Sequence, residues 1–250
     1  EISECLVGSE MCIRDRLKPN DRYQFIFLTV RENQVEEALE DISKNKSPNV
    51  VTMVNTIKPY GRWEKICGKG RILPAFPGAG GCIEGGILDA QLLPRAIQPT
   101  TFGEIGGRKS SREEALAYIF RKSHIPYQIV PEMHHWQISH LGVIIPLADA
   151  YYQSRHPEKI CANEKLMTLT AYRMKKNLKW IAQKGMLCPA KLYMIKDMPT
   201  GMLAGVLSRV YQSEFGNKFL YRHAMHAPEE FQRLHQEFYN YMKTHTKESN

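Results

Sequence analysis

Residues 25–55, FIFLTVRENQVEEALEDISKNKSPNVVTMVN, decide the reading of the fold. Two apolar runs, Phe25 to Val30 and Val50 to Val54, flank an acidic segment from Asn33 to about Lys44. Short β-branched and aromatic runs without polar alternation predict strands buried on both faces, as in a parallel sheet covered by its crossover helices. The order is therefore strand, helix, strand. The first run stops on Arg31 to Gln34 and the second on Asn55-Thr56. Open α/β sheets bind ligands beyond the carboxyl ends of their strands, so these polar stops are where a cofactor is expected.

Downstream, Arg71 to Phe76 reads as a further strand. The glycine-rich run Gly78-Ala79-Gly80-Gly81 follows it, and Cys82 to Gly86 continues as loop instead of helix. A dinucleotide fold grips pyrophosphate with Gly-x-Gly-x-x-Gly between a strand and a helix, a pattern absent here, so these glycines are expected to make a tight connection. Ile87 to Leu92 and Arg95 to Phe102 read as two strands around Leu93-Pro94. Ser111 and Glu114 have capping-box spacing ahead of the stripe Ala115, Leu116, Ile119 and Phe120, which predicts a helix. Tyr127 to Val130 closes the first domain as a short strand.

Beyond Pro131 the pattern is helical. Helices are predicted from Glu132 to about Tyr152 with a kink at Pro146, and from Asn163 to Lys184 with Asn163 as cap and Gly185 as stop. Others are predicted from Thr200 to Phe215, from Asn217 to Met225, and from Pro228 onward with Phe231, Leu234, Phe238 and Tyr241 inward. The fold class is thus α/β, a truncated Rossmann-like parallel sheet over 17–130 followed by an all-α C-terminal domain over 131–250.

Bulk properties narrow the function. The formal charge of +8 would suit an acidic ligand, but basic residues are dispersed among acidic ones, without the stripe or reader motif of a nucleic-acid binder. No apolar run reaches the length of a membrane span. The six cysteines lack any Cys-x-x-Cys pair, which predicts reduced thiols in a cytoplasmic protein. Neither they nor the nine histidines fall into zinc spacing, so no metal site is expected.

Leu28-Thr29-Val30-Arg31-Glu32-Asn33-Gln34-Val35, with Met53-Val54-Asn55 some twenty residues on, resembles the middle of the nicotinamide-binding domain of the ketopantoate reductase (2-dehydropantoate 2-reductase) family. The family pattern is strand, Thr-Val-Lys, helix, strand, Asn-Gly, and the resemblance extends over most of the chain from Leu17. It implies reduction of a 2-oxo acid to a 2-hydroxy acid with NADP as cofactor, no nucleic acid or membrane partner, and room for a homodimer. Residues Glu1 to Arg16 instead resemble a translated sequencing adapter, so the gene is expected to be cut within its first domain.

The chemistry is expected in the gap between the two domains. A 2-oxo acid reductase needs a hydride donor, a cation for the substrate carboxylate and a proton donor for the developing alkoxide. By the resemblance, Arg31 stands at the family's strand-end lysine, Asn55 lines the nicotinamide pocket, and Glu214 matches a late glutamate that contacts the cofactor ribose. A solvated charge is the plain alternative for Arg31 and Glu214. The family's proton donor is a lysine in a Trp-x-Lys pattern with an asparagine one turn on; here Trp136 is followed by Ile138 and Gly142 at those positions. His135, three residues before Ile138, and His140 are the candidate replacements, because histidine titrates near neutrality. A relative that binds a nucleotide or metabolite without catalysis is the other reading.

Overall fold

The computed structural model describes residues 17–84 and 86–247. They divide into two compact units, 17–54 with 59–75 and 55–58 with 76–247. The tail over 1–16 and Gly85 lie outside the described residues.

The first unit is the α/β element read from residues 25–55. Strand β1 (Ile26–Leu28) leads through a short 3-10 turn (Glu32–Gln34) into helix α1 (Val35–Ser43), and β2 (Val50–Met53) returns. Helix α2 (Gly61–Cys67) and strand β3 (Ile72–Phe76) follow, with Phe76 belonging to the second unit. All three strands are parallel, with Ile26 opposite Val50 and Val50 opposite Ile72. Val50, Val51, Ile72 and Leu73 have no exposed surface, as continuous apolar runs require, and each such side chain contributes roughly 1.5–3 kcal/mol by burial. Val35, Leu39 and Ile42, at helical spacing, bring α1 onto this core beside Trp63 of α2. Arg71 joins the loops beneath, its Nη2 donating to the carbonyls of Asn45 (2.9 Å) and Ser47 (2.8 Å) and its Nη1 to that of Cys67 (2.7 Å).

The second unit opens with the glycine run, and here the expected loop is a strand. β4 (Ala79–Glu84) pairs antiparallel with β5 (Ile87–Leu92), Ala79 opposite Leu92. The glycines serve close packing: a Cβ on Gly80 would lie 2.4 Å from the Phe219 ring, and one on Gly81 2.3 Å from the Asp89 carbonyl. β6 (Thr100–Phe102) is shorter than its predicted span, because the chain from Pro94 turns on itself, Ile97 N–H donating to Pro94 O (2.9 Å). Helix α3 (Ser111–Lys122) follows, and β7 (Tyr127–Ile129) runs parallel to β6. Both strands fall within the second compact unit.

The cap of α3 is one residue earlier than its spacing suggested. Ser110 Oγ accepts from Glu113 N–H (3.2 Å), and Glu113 Oε2 accepts from Ser110 N–H (3.3 Å). Two Ser/Glu pairs had the spacing, and the neighbourhood selects one. Glu113 Oε1 also accepts from Glu104 N–H (3.0 Å), tying this box to the loop after β6.

The remainder is helical: α4 (Met133–Gln153), α5 (Glu164–Gln183), α6 (Lys191–Asp197), α7 (Thr200–Gln212), a π turn (Gly216–Tyr221), α8 (Arg222–His226) and α9 (Pro228–Lys247). The Asn163 cap holds as expected, its Oδ1 accepting from Leu166 N–H (3.1 Å), and Gly185 ends the region at φ +70°. Helix α4 is apolar around most of its circumference and forms the middle of a core with α5, α7 and α9. It runs as one helix through Pro146, which has no N–H for the carbonyl of Gly142. Asn177 of α5 supplies the missing donor, its Nδ2 bonding Gly142 O at 3.2 Å. Gly142 also lets the two helices approach, since a Cβ there would sit 2.7 Å from Ile181. Among the described residues no helix is long and apolar enough to cross a membrane.

Candidate active site

The strand tips carry the residues read from sequence. Arg31 follows β1, is exposed, and donates its backbone N–H to Gln34 Oε1 (3.3 Å) at the start of the 3-10 turn. Asn55 comes two residues after β2 and is half-buried. Its Oδ1 is fully shielded from solvent and has no hydrogen-bond partner. A buried acceptor without a donor costs free energy, about 1–3 kcal/mol, so its presence needs a reason.

Asn55 begins the segment 55–58, which belongs to the second unit. Thr56 is buried and its Oγ1 accepts from Lys58 N–H (3.1 Å), turning the chain. Ile57 enters the helical core, and its carbonyl meets His134 Nε2 of α4 at 2.8 Å. A carbonyl only accepts, so Nε2 carries the proton. Burial lowers the His134 pKa, against the Ile57 hydrogen bond, which raises it. Lys58 then reaches α9, its Nζ lying 2.7 Å from Glu237 Oε1. The second carboxylate oxygen, Glu237 Oε2, is shielded and has no partner. Asn55 Oδ1, three residues before Lys58 in sequence, and Glu237 Oε2 are thus both shielded acceptors without a donor.

The histidines on α4 divide. His140 stacks on Trp136 with ring centroids 5.0 Å apart and planes 7° from parallel, and Phe76 lies 4.5 Å away. Burial, with a smaller effect of His223, pushes its pKa down to about 3. Its ring thus stands in an aromatic cluster with Trp136 and Phe76. His135 is half-buried in the first turn of α4. Glu214 is exposed just after α7. The structure ties the segment 55–58 to α4 through His134 and to α9 through Glu237, and of these residues sequence reading had only Asn55. Lys58 was readable as a cation five residues past β2; Glu237 had no such signal, being one of several carboxylates on the last helix.

No protein family profile matches the sequence, and neither does any curated protein. Solved structures do match. 2-Dehydropantoate 2-reductase from Geobacter metallireducens superposes with a TM-score of 0.58 at 13% identity, over 88% of this chain and 77% of that one. The dimeric ketopantoate reductase from Staphylococcus aureus gives 0.55 at 11% identity, over 90% and 78%. D-mandelate dehydrogenase in complex with NADH gives 0.53 at 14% identity, over 88% and 79%. The chain has the ketopantoate reductase fold. In it, the two departures noted from sequence acquire physical content. Ile138, at the lysine position, has no exposed surface and lies in the helical core. Gly142, at the asparagine position, is the contact point of α4 with α5.

A nicotinamide cofactor can be tested against these residues. Asn55 Oδ1 is an acceptor awaiting an N–H donor at the carboxyl end of a parallel strand, which fits a carboxamide. For pyrophosphate, Gly78 to Gly81 supply no cradle, since they lead into a hairpin strand and not a helix N-terminus.

Proposed function

We propose that this chain is an oxidoreductase of the ketopantoate reductase type that binds a nicotinamide dinucleotide, NADPH by the sequence resemblance, and reduces a 2-oxo acid to a 2-hydroxy acid. The observation that carries the reading is the partnerless Asn55 Oδ1 beyond β2 in a chain of this fold. Asn55 would accept from the carboxamide. Arg31, exposed at the tip of β1, would meet an anionic group of cofactor or substrate, and Glu214 would accept from ribose hydroxyls. When bound, the reduced cofactor supplies the hydride. His135 is the one residue of α4 singled out from sequence that remains as a proton donor.

Titration of NADPH and NADH into the protein, followed by isothermal calorimetry, tests this. Asn55→Ala removes one charge-neutral hydrogen bond of about 1.4 kcal/mol, which weakens binding roughly tenfold. An affinity unchanged by the substitution refutes the role of Asn55, and absence of binding refutes the reading. Ile138 and Gly142 favour a second reading, a nucleotide- or metabolite-binding relative without turnover, because both positions are taken by packing. Cofactor binding without nicotinamide oxidation across a panel of 2-oxo acids would select it.

A further inference from the structure

Residues 55–58 form neither strand nor helix, so their backbone groups have no ladder to hold them and must be fixed by other partners. The Thr56 Oγ1 bond to Lys58 N–H lies within the segment and anchors it to nothing else. The ion pair of Lys58 with Glu237 is 40% exposed on the lysine side, where water competes and such pairs are weak. The buried anchor is the hydrogen bond from His134 Nε2 to the carbonyl of Ile57, a residue only 3% exposed. The His134 ring is itself held. Tyr241 of α9 meets it edge-on, with centroids 6.4 Å apart and planes at 77°. Tyr241 packs in turn against Trp180 of α5 at 6.1 Å and stacks on His245 at 3.9 Å, and Trp180 Nε1 donates to Thr246 Oγ1 (2.9 Å). Asn55 stands two residues before Ile57, a span of at most about 7 Å of chain.

We infer that His134 is a positioning residue for the nicotinamide: by holding the Ile57 carbonyl from α4 it fixes the point at which Asn55 Oδ1 meets the carboxamide. The inference rests on the cofactor reading above. His134 acts on the cofactor through the chain between Ile57 and Asn55, and its Nε2 proton is committed to a carbonyl. The leverage comes from the narrowness of a good hydrogen bond. Its length varies over only about 0.5 Å, so a segment that shifts by that much when its anchor is lost gives up most of the Asn55 contact.

Two variants separate the hydrogen bond from the packing. His134→Phe keeps a ring against Tyr241 but has no N–H, and His134→Gln returns an amide N–H near the place of Nε2. By calorimetry, His134→Phe should weaken NADPH binding about threefold to tenfold, bounded by the tenfold expected of Asn55→Ala because it acts through that residue. His134→Gln should bind within about twofold of the parent. In an Asn55→Ala background, His134→Phe should weaken binding no further. Without any cofactor, hydrogen exchange of the Lys58 amide, which depends on the fold of the segment, should quicken about tenfold in His134→Phe and stay near the parent rate in His134→Gln. His134→Asn, whose shorter amide falls short of Ile57, takes the place of His134→Phe should that variant fail to fold. Unchanged Lys58 exchange in His134→Phe overturns the inference and leaves the role of Asn55 standing. Equal losses in the Phe and Gln variants overturn it in favour of packing, and losses that multiply with Asn55→Ala overturn it because His134 then acts by another route. Absence of NADPH and NADH binding to the parent removes the cofactor reading and the inference together.

Discussion

Replacing Asn177 should show how α4 passes through a proline. Pro146 leaves the Gly142 carbonyl without its i−4 donor, and Asn177 Nδ2 meets that oxygen at 3.2 Å and Tyr239 Oη at 3.4 Å. Asn177 is 1% exposed, so water cannot take over. Asn177→Ala strands a buried carbonyl, at about 1–3 kcal/mol, and removes packed volume besides, so a loss of roughly 2–4 kcal/mol is expected. The decisive measurement is a double-mutant cycle with Pro146→Ala, which returns a backbone N–H to the helix. In that background Gly142 O regains its own donor, and Asn177→Ala should cost about 1 kcal/mol less than it does alone. Urea denaturation followed by circular dichroism reads each variant, provided the slope is shared. Additive losses would refute the argument, leaving Asn177 as mere packing.

His140 sets a pH dependence. Its folded pKa, about 3, lies below that of an unfolded histidine, so only the unfolded chain takes up the proton as pH falls below neutrality. Stability from this site is therefore complete above about pH 6.5 and declines toward pH 3; between pH 7 and pH 5 the loss is about 2 kcal/mol. His140→Phe keeps the stack on Trp136 and Phe76 and should reduce the pH 7 to pH 5 difference in urea midpoint; an unchanged difference would rule out the buried neutral ring. The two candidate caps of α3 separate as cleanly. Ser110→Ala should cost about 1 kcal/mol and Ser111→Ala near zero in thermal unfolding, and the reverse order would put the helix start one residue later.

How far the fold could be read depended on whether a feature was periodic. Val35, Leu39 and Ile42 repeat at helical spacing, and residues 50–54 form a short run of β-branched and apolar residues, so α1 and β2 were readable without any knowledge of their neighbours. The hairpin of β4 and β5 was not. Gly78 to Gly81 look like a loop by composition, and what makes them a strand is the Phe219 ring and the Asp89 carbonyl lying where side chains would be. The Ser110 cap likewise depended on Glu104, nine residues from Glu113 and invisible to local spacing. Helix α2, with only Trp63 and Cys67 fully buried in seven residues, was too short to show a stripe.

The site obeys the same division. Alignment to a family pattern looks along one helix for the missing lysine, finds Ile138, and turns to the nearest histidines because they are adjacent in sequence. Lys58 lies five residues past β2 and Glu237 on a helix 179 positions later, yet their side chains meet at 2.7 Å. In α4, positions 138 and 142 are taken by packing, with Asn177 entering from α5 to satisfy the Gly142 carbonyl.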